Sequence, residues 1–406
     1  MCTASGCLAG GVGMRLLLYT PLLAPWRRVH WEAVCRRFPG EVHFVASSEH
    51  RRLYPECGTQ AIELENTRST LLPAVNSRFL GRWYNPGLLS TLRRNRYDVV
   101  LNGDYEYLSN LIVSEFALRA QTPCVMYSPT TRMPDNYRSR VLFRNGLMQT
   151  ALNLVRYTPW IERSLSTYRF CVVPTSTSMD HLVNDRGVDP SRVVLIPNAI
   201  DIGAFRFDCH EPKPFVNVLY VGRFLPEKGP MLAYRAFAQV ASQHATVRLT
   251  MVGQGPLREE VERAASADGL RARVDFLGQL DFKAMATVYR NASAILFTSV
   301  PVPGNVDQDP KVVLEAMASG VPVVAFDIDG GVRDSLREGR GLRVPIGDTD
   351  AMAVAVLSVL RDETRMGRMG EMRMRAAAWV RDVHNPDVVG NAYVRLLLEA
   401  VGVHET

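Results

Sequence analysis

Two textures of hydrophobic positions alternate along the chain. Short apolar, often β-branched runs are separated by longer stretches whose apolar residues recur at helical spacing. In the first half the runs are RLLLYT (15–20), VHFVA (42–46), YDVVLN (97–102), PCVMY (123–127), FCVVP (170–174) and VVLIP (193–197). Stretches 30–38, 108–119 and 176–186 carry the helical spacing between them. A Pro-rich segment, HEPKPF (210–215), then reads as a linker. Beyond it the alternation restarts with NVLYV (217–221), VRLTMV (247–252), VDFL (274–277), AILFT (294–298), VPVVAF (321–326) and GLRV (341–344). Helices are expected over 229–243, 256–267 and 281–291, with further amphipathic helices from about 350 to the end. Strands alternating with helices predict parallel sheets joined by right-handed crossovers, an α/β architecture repeated in two domains. Two stretches break the pattern. Residues 51–90, rich in Arg, Pro and Asn, predict irregular chain, and 132–169 interleave Arg with Tyr, Phe, Leu and Trp. The latter reads as helices with a wet arginine face, or as an amphipathic element lying against a membrane or an acceptor.

Composition narrows the function classes. The 406 residues suffice for two ordinary domains, and 47% hydrophobic with 22% charged residues is globular usage. Seven cysteines include no C-x-x-C pair, which predicts reduced thiols, no zinc site and a cytoplasmic protein. No run of 18 apolar residues is present. The first 13 residues are small and expected to be flexible, lack a basic leader pattern, and leave Met14 as an alternative start. Charge is uneven: residues 1–205 carry 23 Arg, no Lys and 16 acids, a net +7 of the chain's +6. A basic first half suits an acidic partner such as anionic lipid or a phosphorylated acceptor. No nucleic-acid-binding motif accompanies it.

Candidate chemistry concentrates in the second half. The run DQDPKVVLEAMASGVPVVAF (307–326) predicts a helix capped by Asp309 and opened by Pro310. Val313, Leu314, Met317 and Ala318 form its apolar face, and Gly320 and Pro322 stop it before a buried strand. The N-terminus of such a helix attracts anions. Asp307 and Glu315 bracket its start eight residues apart, where carboxylates can meet ligand hydroxyls. Upstream, YVGRFLPEKG (220–229) ends a strand at Gly222 and places Arg223 and Lys228 in the turn before the next helix. An arginine fork and a lysine point charge there can neutralise a diphosphate. The chain has only four lysines, and Lys228 and Lys311 fall in these two segments. The glycine run 10–13 precedes the first strand instead of following it, which argues against a nicotinamide enzyme.

Taken in order, IPNAID, VGRFLPEKG, VGQGPL, FLGQL, the 307–326 run, a Gly330-Gly331 loop and GLRVPIGD resemble the retaining glycosyltransferases of family 4, over residues 170–370. The resemblance implies a GT-B fold, two Rossmann-like domains facing across a cleft: an acceptor domain over 14–208, a nucleotide-sugar donor domain over 209–380, and a final helix, 381–406, crossing back to the first. It implies that Arg223 and Lys228 hold the donor diphosphate and that Asp307 meets the transferred sugar. Backbone near Gly222, Gly253 and Asp309 to Val313, including Lys311 and Val312, would line the donor, with Leu277 at the base and Glu315 accepting from the ribose. No metal or cofactor is implied beyond the nucleotide-diphosphate-sugar substrate. Three departures stand out: Asp307 replaces the family's glutamate, PLLAPWRRVHW replaces its glycine pair after the first strand, and neither NGDYEY (102–107) nor YSPT (127–130) holds its first-domain histidine. Asp104 or Glu106 is the candidate substitute. The other readings are a sugar-nucleotide-binding protein without catalysis and a nucleotide-sugar epimerase.

Overall fold

The structure, a computed structural model, describes residues 13–21, 27–48, 64, 67–77, 82–103, 108–129, 159–205, 216–301, 310–361 and 367–403. The expected linker at 210–215 and the arginine-rich stretch 132–158 lie outside these residues.

In the first half the strands are β1 (Arg15–Thr20), β2 (Glu41–Ser47), β3 (Thr67–Leu72), β4 (Val75–Ser77), β5 (Arg82–Tyr84), β6 (Val99–Gly103), β7 (Cys124–Tyr127), β8 (Phe170–Val173) and β9 (Val193–Leu195). Seven of them form one parallel sheet in the order β3-β2-β1-β6-β7-β8-β9, and β4 and β5 form a small antiparallel ribbon. The second half contributes β10 (Asn217–Val221), β11 (Arg248–Val252), β12 (Val274–Gly278), β13 (Ala294–Phe297), β14 (Val323–Phe326) and β15 (Leu342–Val344). They form a second parallel sheet in the order β12-β11-β10-β13-β14-β15.

The apolar runs are continuous because both faces of each sheet are covered. Along β1, Leu16 and Leu18 enter one core cluster with Trp31 and Tyr393, while Leu17 and Tyr19 enter another with Leu88, Leu111 and Tyr168. Residues 51–90 were expected to be irregular, yet they hold β3, β4, β5 and the start of a helix, Leu88–Arg93. The reason is position: β3 is the edge of its sheet, so TRSTLL is half-exposed and lacks the apolar signature of a central strand.

Among the contacts that join the halves of the chain, two set how the sheets meet. The last helix, Pro386–Ala400, lies on the first helix, Arg28–Arg37, burying Val389, Tyr393 and Leu397 in the core of the first sheet. Gly390 makes the close crossing possible, since a Cβ there would sit 2.5 Å from the Ala33 carbonyl oxygen. The second contact joins the short helices that follow the strands. The Ser176 backbone N–H and hydroxyl, just beyond β8, donate to the Asp334 carboxylate, just beyond β14, at 2.9 and 2.8 Å. The C-terminal edges of the two sheets therefore face each other.

Gly390→Ala tests the helix crossing. On an open helix face this change stabilises by up to about 1 kcal/mol. Here overpacking reverses the sign, and denaturant titration should show a loss of about 1–3 kcal/mol.

Candidate functional site

In an open parallel sheet, ligands settle beyond the C-terminal ends of the strands where the strand order reverses. In the second sheet that point lies between β10 and β13. The segment after β10 is the one containing Arg223 and Lys228, and the segment after β13 leads to the helix Lys311–Ala318.

The loop after β10 is built by interlocking with its neighbours. Gly222 N–H donates to the Val252 carbonyl at 3.0 Å, Phe224 N–H to Gln254 at 2.8 Å and Leu257 N–H to Phe224 at 3.1 Å. Gly253 N–H continues the lacing to Gly278 at 2.7 Å. Gly253 has φ +131, and a Cβ on it would collide with the Gly222 carbonyl oxygen. Only glycine suits that combination of backbone angle and contact.

Lys228 ends a single 3-10 turn, Pro226–Lys228, just before the helix Pro230–Gln243. Two buried side chains hold that turn. The Tyr220 hydroxyl lies 3.1 Å from the Arg223 carbonyl oxygen and 3.3 Å from that of Lys228. From β13's end, the Thr298 hydroxyl lies 3.1 Å from the Lys228 carbonyl oxygen and 2.9 Å from that of Gly229. Val300 N–H donates to Glu227 at 2.9 Å. The cation-bearing turn is thus tied to the chain that leads into the Lys311–Ala318 helix. Arg223 reaches outward, with its side chain 65% exposed and a guanidinium nitrogen 3.9 Å from Glu227.

The helix itself begins at Lys311, with Pro310 in the capping position at ψ 98. The expected start at Pro310 moves by one residue because that extended ψ keeps proline outside the helix. The helix opens with the N–H groups of Lys311 and Val312, whereas Val313 N–H donates to the Pro310 carbonyl at 3.0 Å. Val313 is fully buried and Val312 packs half-buried on the core, so their side chains serve the fold. Asp104, Glu106, Asp307 and Asp309 lie outside the described residues.

Glu315 stands one turn into the helix, partly buried, and accepts a hydrogen bond from the Tyr289 hydroxyl at 2.9 Å. Burial raises its pKa above the ordinary 4.5, while the Tyr289 bond and the Lys311 charge oppose the shift. Tyr289 is buried, with its own pKa far above normal, and its ring packs on Phe205 at 5.6 Å. Leu277, assigned to the base, is 44% exposed beside the Gly278 turn. Phe276, next to it, is flanked by the Arg258 and Arg271 guanidiniums at 5.6 and 5.1 Å.

Lys311 spans the two halves. Its Nζ donates to the Ala199 carbonyl oxygen at 3.3 Å. The same short segment accepts His384 Nδ1–H on the Asn198 carbonyl at 2.7 Å and donates Ile200 N–H to the His384 carbonyl at 3.1 Å. Ala199 N–H reaches the buried His30 Nδ1 at 3.2 Å. Burial above all, then the Lys311 and Arg27 charges, holds the His30 pKa well below its usual value, so the ring is neutral and can accept. Sequence reasoning missed Tyr220, Tyr289, Thr298 and His384 as supports. Their roles depend on contacts between distant residues, and in the sequence they read only as ordinary strand or helix positions. Among the described residues, no group of three or more His, Cys, Asp or Glu is placed to hold a metal ion.

Two family models match the chain in succession. The one described as Glycosyltransferase Family 4 covers residues 29–203, and Glycosyl transferases group 1 covers 202–376. A phosphatidyl-myo-inositol mannosyltransferase of Mycolicibacterium smegmatis is 32% identical over 43% of this chain and 44% of its own. A D-inositol 3-phosphate glycosyltransferase of Rhodococcus opacus is 29% identical over 55% of this chain and 52% of its own. The chain therefore spans about half the length of these curated relatives. Among solved structures, HepE of Anabaena in complex with UDP superposes with TM-score 0.69 at 15% identity, over 95% of this chain and all of HepE. Sucrose-phosphate synthase of Thermosynechococcus elongatus gives 0.67 at 17%, over 96% of this chain and 100% of that one. With both halves matched by family models and the fold shared along nearly its whole length, the chain belongs to the family 4 glycosyltransferases and has the GT-B fold.

Proposed function

We propose that the protein transfers a sugar from a nucleotide-diphosphate sugar to an acceptor hydroxyl, with retention of configuration and without a metal. The observation that carries this reading is the tied turn at the β10–β13 reversal, which brings Arg223 and Lys228 to the strand that leads to the helix bearing Glu315. HepE's structures with UDP and UDP-glucose give the class of donor that such a fold accommodates.

In this reading the donor diphosphate lies between the Arg223–Lys228 turn and the opening N–H groups of the helix. As the sugar–phosphate bond breaks, negative charge grows on the leaving phosphate and an oxocarbenium-like charge on the sugar. Cations and dipoles already in place stabilise the first without rearranging. The acceptor hydroxyl then attacks the face the diphosphate leaves, and its proton passes to the departing phosphate. Glu315 accepts from the ribose hydroxyls, Leu277 and Gly253 border the nucleoside, and Asp307 and Asp309 meet the sugar by the family pattern. Asp104 serves on the acceptor side. The donor domain begins near residue 209, and the basic first half meets an anionic acceptor or membrane surface on the cytoplasmic side.

Lys228→Ala should lower kcat by about 10²–10³-fold, the loss found on removing one donor that acts on transition-state charge. A loss under threefold in single-turnover assays would place Lys228 outside the chemistry. Activity should persist in excess EDTA; loss that Mg²⁺ or Mn²⁺ restores would point to a metal mechanism.

Glu315 gives a pH test with a definite sign. Burial raises its folded pKa above the ordinary 4.5. Ionising it therefore costs folding stability, a cost absent at low pH and growing as pH rises through the raised value. Glu315→Gln should accordingly gain thermal stability relative to the native protein at neutral pH, but not at pH below the carboxylate range. Donor binding should run the other way. Ribose hydroxyls favour the ionised form, so native donor KM should fall as pH rises through the same value. That dependence should vanish in Glu315→Gln; its survival in the variant would remove Glu315 from the donor site.

A further inference from the structure

A cavity of about 730 Å³ opens beside the first sheet, between the helices Leu88–Arg93, Leu108–Arg119 and 159–167. It is not at the strand-order reversal, and nothing in the mechanism above uses it. Its apolar lining includes Leu89, Ile112, Phe116 and Trp160, of which Leu89 is 40% and Trp160 56% exposed. Among the described residues, cations complete the lining: Arg93, Arg119 and Arg163, against one acid, Glu115.

The single acid is already engaged. Its two oxygens accept from Arg119 Nε at 2.8 Å and Arg163 Nε at 3.2 Å. The Arg119 hydrogen bond is the largest of the effects that hold the Glu115 pKa below its ordinary value, so it stays ionised and keeps two guanidiniums side by side. The lining is net positive, with three guanidiniums to one carboxylate, in a half of the chain that is itself +7.

An exposed indole beside arginines on an apolar floor is the pairing that suits a bilayer interface. Trp sits at headgroup depth, and arginine buries its stem while its head meets phosphate. No helix among the described residues is long and apolar enough to cross a membrane, so contact here would be peripheral.

We propose that this groove docks the protein on an anionic phospholipid bilayer, seating Trp160 among the acyl-chain tops and setting Arg93, Arg119 and Arg163 against the headgroup phosphates. The proposal deepens, and rests on, the reading that the basic first half meets an anionic partner. It gives that partner a place. Polybasic contacts of this kind lose about fivefold in partitioning per arginine removed, and they weaken as salt rises.

The test is co-sedimentation of the full chain with vesicles of phosphatidylcholine, with and without phosphatidylglycerol, alongside Trp emission. The native protein should bind the anionic vesicles, bind neutral ones far less, and release as salt is raised. Arg93→Gln should bind about fivefold more weakly. The native spectrum minus that of Trp160→Phe should shift to the blue on adding anionic vesicles. Slow donor hydrolysis in vesicle-free buffer should be unchanged in both variants, which shows that they are folded and separates this site from the catalytic one. Native binding that both variants retain in full would overturn the groove while leaving the basic-half reading intact. No binding to anionic vesicles by the native protein would overturn both. A Trp160 emission already blue in buffer would mean that another part of the chain fills the groove, and would also overturn the proposal.

Discussion

The structure around the candidate site depends on one steric constraint, the approach of two backbones at the tips of β10 and β11. Gly253 lies against the Gly222 carbonyl where no Cβ fits. That approach lets Phe224 exchange hydrogen bonds with Gln254 and Leu257 of the neighbouring loop. It fixes where the chain must turn, and the Tyr220 and Thr298 hydroxyls then hold the 3-10 turn that presents Lys228. A lysine on a long, mobile stem contributes to catalysis only if its backbone is placed beforehand. Placement here comes from polar atoms buried under the site, not from contacts at its surface.

A second set of contacts relates this site to the first domain. Lys311, on the helix that carries Glu315, reaches Ala199; His384, at the start of the crossing segment, binds both sides of the same short segment; and His30 accepts from it. Asp334 caps Ser176 nearby. Lys311, Asp334 and His384 thus meet the segments that follow β8 and β9, which laces the two halves together there.

The fold was largely legible because buried parallel strands are apolar on both faces. NVLYV and RLLLYT give strands with the expected bounds, and the glycines after β10 and β11 mark the close approach. The edge strand β3 was not legible, since half its surface faces water and its sequence matches that of a polar loop. The turn that carries Lys228 was readable from the strand end at Gly222 and the glycine at 229. The supports beneath the site were not, because Tyr289 binding Glu315 or His384 binding Asn198 joins residues far apart in sequence with no local signature. Lys311 illustrates the limit best: its position in a candidate donor segment says nothing of the contact its Nζ makes with the Ala199 carbonyl.

The central claim is that the Gly222–Gly253 approach shapes a site for a nucleoside diphosphate. Titration calorimetry on the native protein and on Gly253→Ala tests it most directly. The account predicts that at least one of UDP, GDP and ADP binds the native protein at least about tenfold more tightly than its monophosphate, a difference of about 1.4 kcal/mol from the second phosphate. It predicts that Gly253→Ala, still folded by circular dichroism, loses this preference. Equal affinity for every diphosphate and its monophosphate, or unchanged diphosphate binding in the variant, would contradict it.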